Sequence, residues 1–300
     1  MGFVSRGWNV YRKAGLRGVF EIISRRLWGA VRLVFDILFT IMRSKFFRPE
    51  TGRTHKVGFF KKLCVLFRFV SNASRITGGS SWKEHILIAT EILRAPPETE
   101  GVVVECGSFE GFSAANLSIV CELSGRKLYV CDSFEGLPKP RDEEGFTVIS
   151  HKQQHYDFHE GQYKGSSETV RSNITRYGKI DVCHFVQGYF DQTLPELSEK
   201  IVVVFEDADL KSSVESCLRY LWGHLRDRGF FFCHEPWSPQ IVELFYDRVW
   251  WRENMHSDPP GFYGSGHGIP LGISSGSGIG YAQKLNVERY LESSELRPGM

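Results

Sequence analysis

The sequence predicts an α/β fold on a mostly parallel sheet, and three observations carry that prediction. Short, near-continuous apolar runs alternate with helical patterns, as buried parallel strands do: VVVEC at 102–106, LYVC at 128–131, IVVVF at 201–205 and GFFFC at 229–233. The first run ends in Glu105-Cys106-Gly107, and Gly111 follows before a helix. The second run ends in Asp132. Strand, glycine loop, helix, strand, acid is the order that builds a nucleoside-binding crevice at the carboxyl ends of parallel strands. The glycines leave room for backbone to approach a ligand. Asp132 lies where a carboxylate can accept hydrogen bonds from both ribose hydroxyls. The spacing is E-x-G-x-x-x-G, which differs from the G-x-G-x-x-G of dinucleotide enzymes.

The elements follow in order. Trp82, Ile86, Ala89 and Leu93 share a helical face, and Pro96-Pro97 stops that helix. Strand one spans 102–106, a helix 111–123 and strand two 128–131. A helix over 167–177 is closed by Gly178. Strand three spans 181–186 and strand four 201–205. A helix runs 212–226, strand five 229–233, a further helix 239–250 and a last strand 281–284. Two regions break the rhythm. Residues 136–166 form a long loop with His151, His155 and His159, and loops of that length are usually functional or disordered. Residues 261–280 are too glycine-rich for a helix. The expected domains are a basic amphipathic helical arm at 1–55, a helical cap at 56–98 and the sheet domain at 99–300.

Charge separates these parts. Residues 1–53 hold eleven Lys or Arg against three acids, a net +8, and the whole chain is +2, so the rest carries −6. That balance disfavours a nucleic-acid groove across the sheet domain. The arm interleaves Trp8, Tyr11, Phe20 and Trp28 with arginines. Its apolar run 27–42, interrupted by Arg32 and Asp36, is shorter than the ~20 residues of a spanning helix. A basic amphipathic helix on an anionic membrane surface has this composition, and so does a helix packing on its own core or on a second subunit. The seven cysteines are scattered without C-x-x-C spacing, which argues against a thiolate zinc site and for a reducing compartment. The expected location is the cytoplasm, with peripheral attachment at the inner face of the membrane through the arm.

Strand four ends in Glu206-Asp207-Ala208-Asp209 and strand five in His234-Glu235. Neighbouring parallel strands bring these groups to one edge, so Asp207, His234 and Glu235 are candidate metal ligands. Carboxylates suit Mg²⁺ and His tilts the preference toward softer divalent ions. Asp209 reads as the cap of the following helix. Asp207 and a loop histidine, His155, are the candidate catalytic bases.

At these residues the chain resembles the macrocin O-methyltransferase family, class I enzymes that use S-adenosylmethionine to methylate sugar hydroxyls. The matching segments are ECGSFEGFSA, YVCDSFEGLP, SSETVRSNITRYG, VQGYFDQTLPEL and FEDADLKSSVESCLRYLWGHLRDRGFFF, roughly residues 100–250. The resemblance implies a Rossmann-like fold with a seven-stranded sheet, helices on both faces and an N-terminal helical extension. It implies that Glu105, Gly107, Ser108, Gly111, Asp132, Ser133, Phe134, Gly188, Tyr189 and Phe190 serve the cofactor, and that Asp207 holds Mg²⁺. His234-Glu235 stands where the family has an Asp pair, a departure that bears on metal choice. The expected function is O-methylation of a sugar, glycan or glycosylated small molecule by a cytoplasmic enzyme, a homo-oligomer in one arrangement. Two rivals are a non-catalytic methyltransferase-like scaffold at a membrane surface and a nicotinamide-dependent sugar oxidoreductase. The second expects G-x-G-x-x-G and Tyr-x-x-x-Lys, which the chain lacks.

Overall fold

The computed structural model describes residues 21, 24–25, 27–147, 155–271 and 277–286. The chain divides into two compact units at Ser44/Lys45. In the first, residues 27–43 form helix α1. The second begins at Lys45 and carries the sheet.

That sheet has six strands among the described residues: β1 (Val102–Cys106), β2 (Leu128–Asp132), β5 (Cys183–Gln187), β6 (Ile201–Glu206), β7 (Leu225–Cys233) and β8 (Gly280–Gln283). Their order is β5-β2-β1-β6-β7-β8, parallel throughout except for β8. The count corrects the expected seven. The chain leaves β1 for β2 on one side and returns to β6 on the other. The switch point therefore lies between β1 and β6, where open α/β sheets bind their ligands. A separate two-stranded ribbon, β3 (Phe146–Thr147) with β4 (His155–Tyr156), lies within the long loop.

Successive residues of β1 serve opposite faces. Val102, Val104 and Cys106 enter a core with Val214, Cys217, Leu218 and Leu221 of helix α7 (Lys211–Leu221) and with Trp251 of α9 (Arg248–Met255). On the other face lie α3 (Trp82–Arg94) and α4 (Phe112–Ser124), where the His85 ring meets Phe112 at 4.7 Å and Phe205 at 6.4 Å. Ser81 and Glu84 form a capping box that starts α3. Gly111 and Gly125, both left-handed, bound α4. α2 (Phe59–Asn72) joins this layer through a buried relay: Asn72 donates to Asn116 (2.9 Å), Asn116 meets His85 Nδ1 (2.8 Å), and His85 Nε2 meets Ser80 (2.9 Å). Burial drops the His85 pKa to about 4, so the ring is neutral. It accepts at Nδ1 and donates at Nε2.

Four further boundaries differ from expectation, each for a local reason. The helix expected to reach 226 ends at Leu221, because Ile201 N–H bonds His224 and draws the chain into β7 four residues before Gly229. β7 then absorbs a register shift opposite Ile201/Val203. The helix expected over 239–250 is two, α8 (Pro239–Leu244) and α9, because Asp247 accepts from the amides of Val249 and Trp250 and starts a new helix. Strand three, β5, follows α5 (Ser167–Tyr177), begins with a 3₁₀ turn at Ile180–Val182 and leads to the short α6 (Phe190–Thr193). Asp209 does not cap α7. Glu144, from the long loop, accepts from Ser212 N–H at 2.6 Å instead.

Gly107 fixes the switch point. Its φ is +89°, and a Cβ there would stand 2.0 Å from the Asp207 carbonyl oxygen. Gly125 has φ +69° and open space around it. Gly125→Ala therefore costs about 1 kcal/mol, the left-handed penalty alone. Gly107→Ala adds a backbone collision and costs at least ~2 kcal/mol more. Urea unfolding of the two variants measures the difference, and equal losses would mean the crossing is not tight.

Candidate active site

The strand ends at the switch point open into a cavity of about 750 Å³. One half is lined by Gly107, Ser108, Asp132, Ser133, Gly188, Tyr189 and Phe190. The other is lined by Asp207, Asp209, Ser212, Ser216, His234 and Glu235. Roof residues from the long loop include Leu137, Phe158, Gln162 and Tyr163. That loop is pinned at its base, where Leu137 N–H bonds Gln162 and Gly161 N–H returns to Leu137.

Asp132 ends β2 and clamps the glycine loop. Its Oδ2 accepts from Ser108 N–H (2.6 Å) and Ser108 Oγ–H (2.9 Å), and its Oδ1 accepts from Phe134 N–H (2.7 Å). Ser133 Oγ donates to Gly136, closing the next turn. Gly188 N–H bonds the Asp132 carbonyl at 3.0 Å and aligns the end of β5 with that of β2. Phe109, Phe134 and Asp209, none of them glycine, all hold positive φ. Such strain collects where surrounding structure fixes a site.

Three residues expected at the cofactor do not line the cavity: Glu105, Gly111 and Phe134. Gly111 caps α4, where a Cβ would meet Val170 at 3.0 Å. Gly107 and Gly111 thus answer first to protein neighbours rather than to a ligand. Glu105 is fully buried, with Ser113 the polar side chain against its carboxyl. Burial pushes its pKa up to about 8, so it is protonated at pH 7.

At the other half, His234 Nδ1 lies 3.1 Å from Asp207 and 3.9 Å from Glu235 Oε1, while Nε2 lies 3.6 Å from Glu84. Burial opposes charge on the ring, but Asp207 and Glu84 outweigh it and hold the pKa well above the ordinary value. His234 is therefore an imidazolium at neutral pH. Glu84 itself is buried, but its contacts with His234 and the amides of Ser81 and Gly278 bring its pKa down to about 2. Burial raises Glu206 to about 8 and Asp209 to about 7, and it raises Glu235 together with the neighbouring Glu206 and Asp207. Glu206 Oε2 and Glu235 Oε1 have no hydrogen-bond partner.

Asp207, His234 and Glu235 each offer a ligand atom within 4.8 Å of the others. His151 lies outside the described residues. His155 lies in β4, and its side chain also lies outside them. His159 is exposed. Glu84 escaped the sequence reading, although Ser81-x-x-Glu84 before an apolar run is a capping-box signature. Nothing in the sequence marks its reach to His234, 150 positions on.

The titrations set opposite pH limits. Glu84 has a depressed folded pKa, so its contribution of about 3 kcal/mol is present above pH ~4.5 and is lost as pH falls toward 2. Glu105 and Glu206 have raised folded pKa values, so stability falls as pH rises from ~4.5 toward 8. In metal-free buffer, unfolding should show maximum stability on the acid side of neutrality. Glu84→Gln should remove about 3 kcal/mol at pH 7. An unchanged midpoint in that variant would mean the ion pair contributes nothing.

With this geometry, the relatives can be placed. The mycinamicin III 3''-O-methyltransferase of Micromonospora griseorubida is 26% identical over 177 residues, 51% of this chain and 69% of that protein. The solved O-methyltransferase NovP superposes with a TM-score of 0.52 over 69% of this chain and 81% of its own, at 20% identity, a likeness of fold. Residues 87–246 match the model of the macrocin-O-methyltransferase (TylF) family, a stretch running from α3 through β7 to the start of α9's approach at Tyr246. The match includes every strand that lines the cavity. The chain belongs to the macrocin-O-methyltransferase family.

Proposed function

We propose that this methyltransferase moves a methyl group from S-adenosylmethionine to a hydroxyl of a sugar, glycan or glycosylated small molecule. The observation that carries the reading is a cavity at the switch point that joins a nucleoside-type half to an acidic half rich in hydroxyls. Its volume of about 750 Å³ suits two ligands side by side. Family membership removes the nicotinamide alternative.

Gly107, Ser108 and Asp132 hold the nucleoside end, with Gly188, Tyr189 and Phe190 as its floor. When bound, the sulfonium supplies a methyl group that is already activated. Ser212 and Ser216, one turn apart on α7, face the acceptor. Asp207, one-fifth exposed at the cavity wall, accepts the hydroxyl proton as the new C–O bond forms. Most of the acceleration comes from holding donor and acceptor in line.

A divalent cation fits the acidic half. Glu235 Oε1 is buried beside Asp207 and His234 and makes no hydrogen bond, the environment a cation would relieve. These three residues would hold it, and it would lower the pKa of an acceptor hydroxyl. His234 must then give up the proton that now faces Asp207, so binding releases protons. The imidazole in this set favours Mn²⁺ or a softer ion over Mg²⁺.

Peripheral membrane attachment through the arm belongs to the same proposal. Taken by itself, α1 exposes Leu27, Trp28, Val34, Phe35, Leu38 and Met42. Among the described residues, no helix is long and apolar enough to cross a membrane.

Two measurements test the site. Asp132→Ala should weaken S-adenosylhomocysteine binding by about 1.5–3 kcal/mol in calorimetry, the scale of a lost charge-assisted hydrogen bond. Unaltered affinity in the folded variant would remove Asp132 from the cofactor site. Mn²⁺ should raise the melting temperature of the parent protein with measurable proton release, and should leave Glu235→Gln unmoved. If neither protein responds, Asp207, His234 and Glu84 form a closed ion pair and hold no metal.

A further inference from the structure

The unit that carries the sheet has a second feature, remote in sequence from the strand ends. α2 is amphipathic, and only one of its faces is used. Val65, Leu66, Phe69 and Asn72 are buried, with Lys62, whose ammonium donates to the Arg48 carbonyl at 2.8 Å. The opposite stripe carries Phe60, Cys64 and Phe67 at i, i+4 and i+7, all exposed. Phe60 is 80% exposed, Phe67 54% and Phe59 49%. Phe59 extends the stripe as a ladder of rings, 5.9 Å from Phe60 and 5.7 Å from Phe47. Water-facing phenylalanines on one helical stripe form a patch, and a patch of this kind marks an interaction surface.

The charge around the patch is one-sided. From Lys45 to Arg75 the chain holds eight Lys or Arg and a single acid, Glu50. Lys62 is buried, and the other seven are exposed: Lys45, Arg48, Arg53, Lys56, Lys61, Arg68 and Arg75. Residues 76–300 hold 21 Lys or Arg against 32 acids, so within the unit that carries the sheet this is a local concentration. Two copies meeting symmetrically through this face would bring the same seven cations together, which opposes a dimer. A surface that takes aromatic rings to a shallow depth and meets cations with anions is an anionic bilayer.

We propose that the exposed face of α2 docks on an anionic lipid surface. Phe60, Phe67 and Phe59 enter the headgroup boundary, and the flanking Lys and Arg face lipid phosphates. The proposal does not depend on α1 or on the residues before it, since the contact is made by the unit that holds the active-site cavity. It also stands apart from the acceptor's identity: methyl transfer and docking use different residues.

Cys64 offers a direct readout, because it lies on the stripe and is the exposed cysteine of the seven. The full-length chain is labelled there with an environment-sensitive nitrobenzoxadiazole probe. It is then mixed with vesicles of phosphatidylcholine, with or without phosphatidylglycerol. The expected result is a blue-shifted, several-fold brighter probe on the anionic vesicles only, weakened by salt. Sedimentation of the unlabelled Phe60→Ser/Phe67→Ser variant should show partitioning reduced by about tenfold, the loss of two rings' worth of partial burial. The proposal is overturned if the chain sediments with vesicles while the probe stays aqueous and the double variant partitions like the parent. Attachment then resides elsewhere. It is equally overturned if no binding occurs, or if light scattering shows a dimer that the double variant abolishes.

Discussion

The site depends on one close crossing. At the ends of β1 and β6 the Gly107 α-carbon passes so near the Asp207 carbonyl that no side chain fits between them. Gly107 N–H bonds Cys131 on one side, and Asp207 N–H bonds Cys106 on the other. Two neighbouring strand ends are thereby locked at one height before they diverge. The divergence opens the cavity, and the lock sets what faces into it. Ser108 and Asp132 turn to one half, and Asp207 with Asp209 to the other. A looser crossing would let the halves shift relative to each other by tenths of an ångström. A transfer that relies on alignment has little tolerance for such a shift.

A second tie runs across the sheet layer. Glu84 starts α3, receives the Gly278 amide and faces His234 Nε2, so one carboxylate joins a helix cap, a C-terminal loop and a strand end. His234 turns its other nitrogen to Asp207. The layer made by α2, α3 and α4 is held by the neutral relay from Asn72 through His85 to Ser80, which lines the cavity mouth. A charged His and a neutral His thus do separate work. His234 balances buried acids. His85 is neutral because burial outweighs the nearby Glu84 and Asp207 carboxylates, and it can therefore accept a hydrogen bond that an imidazolium could not.

Legibility in the sequence followed the range of the interactions. β1, β2 and β6 were readable from apolar runs alone, because a strand buried on both faces leaves an unbroken signature. α3 and α5 (Ser167–Tyr177) were readable from periodicity with Ser and Gly at their ends. Asp207 and His234-Glu235 could be brought together because parallel strands align their ends. The misses are contacts that no local pattern encodes. Glu144 caps α7 from a loop 68 residues away, so Asp209, the nearer acid, was the wrong choice. Asp247 restarts a helix where the apolar pattern continues unbroken. The two glycines read as ligand-clearing serve protein neighbours first, Gly107 at a backbone crossing and Gly111 at a helix cap against Val170, since φ and close approach look the same in sequence whichever atom is approaching.

The buried acids set the remaining constraint. Glu105, Glu206 and Glu235 occupy the core edge of the site, and burial works against charge on each. A protein selected for stability alone would fill these positions with apolar side chains, since a buried carboxyl without a partner costs more than the hydrocarbon of equal size. Glu235 Oε1 and Glu206 Oε2 are left without hydrogen bonds next to the one buried imidazolium among the described residues. His234 neutralises a single charge, and Asp207 and Glu84 already share it. Glu206 Oε1 accepts from the Ala208 amide and Glu235 Oε2 from the Cys233 thiol, and the fold displays no such use for their other oxygens. Glu206 and Glu235 lie at the ends of β6 and β7, with Glu235 at the cavity wall, while Glu105 lies in β1. Clustered groups of perturbed pKa beside a cleft are the arrangement by which proteins prepare a site for charge that arrives with a ligand. Here that cost falls at the strand ends that carry Asp207 and His234.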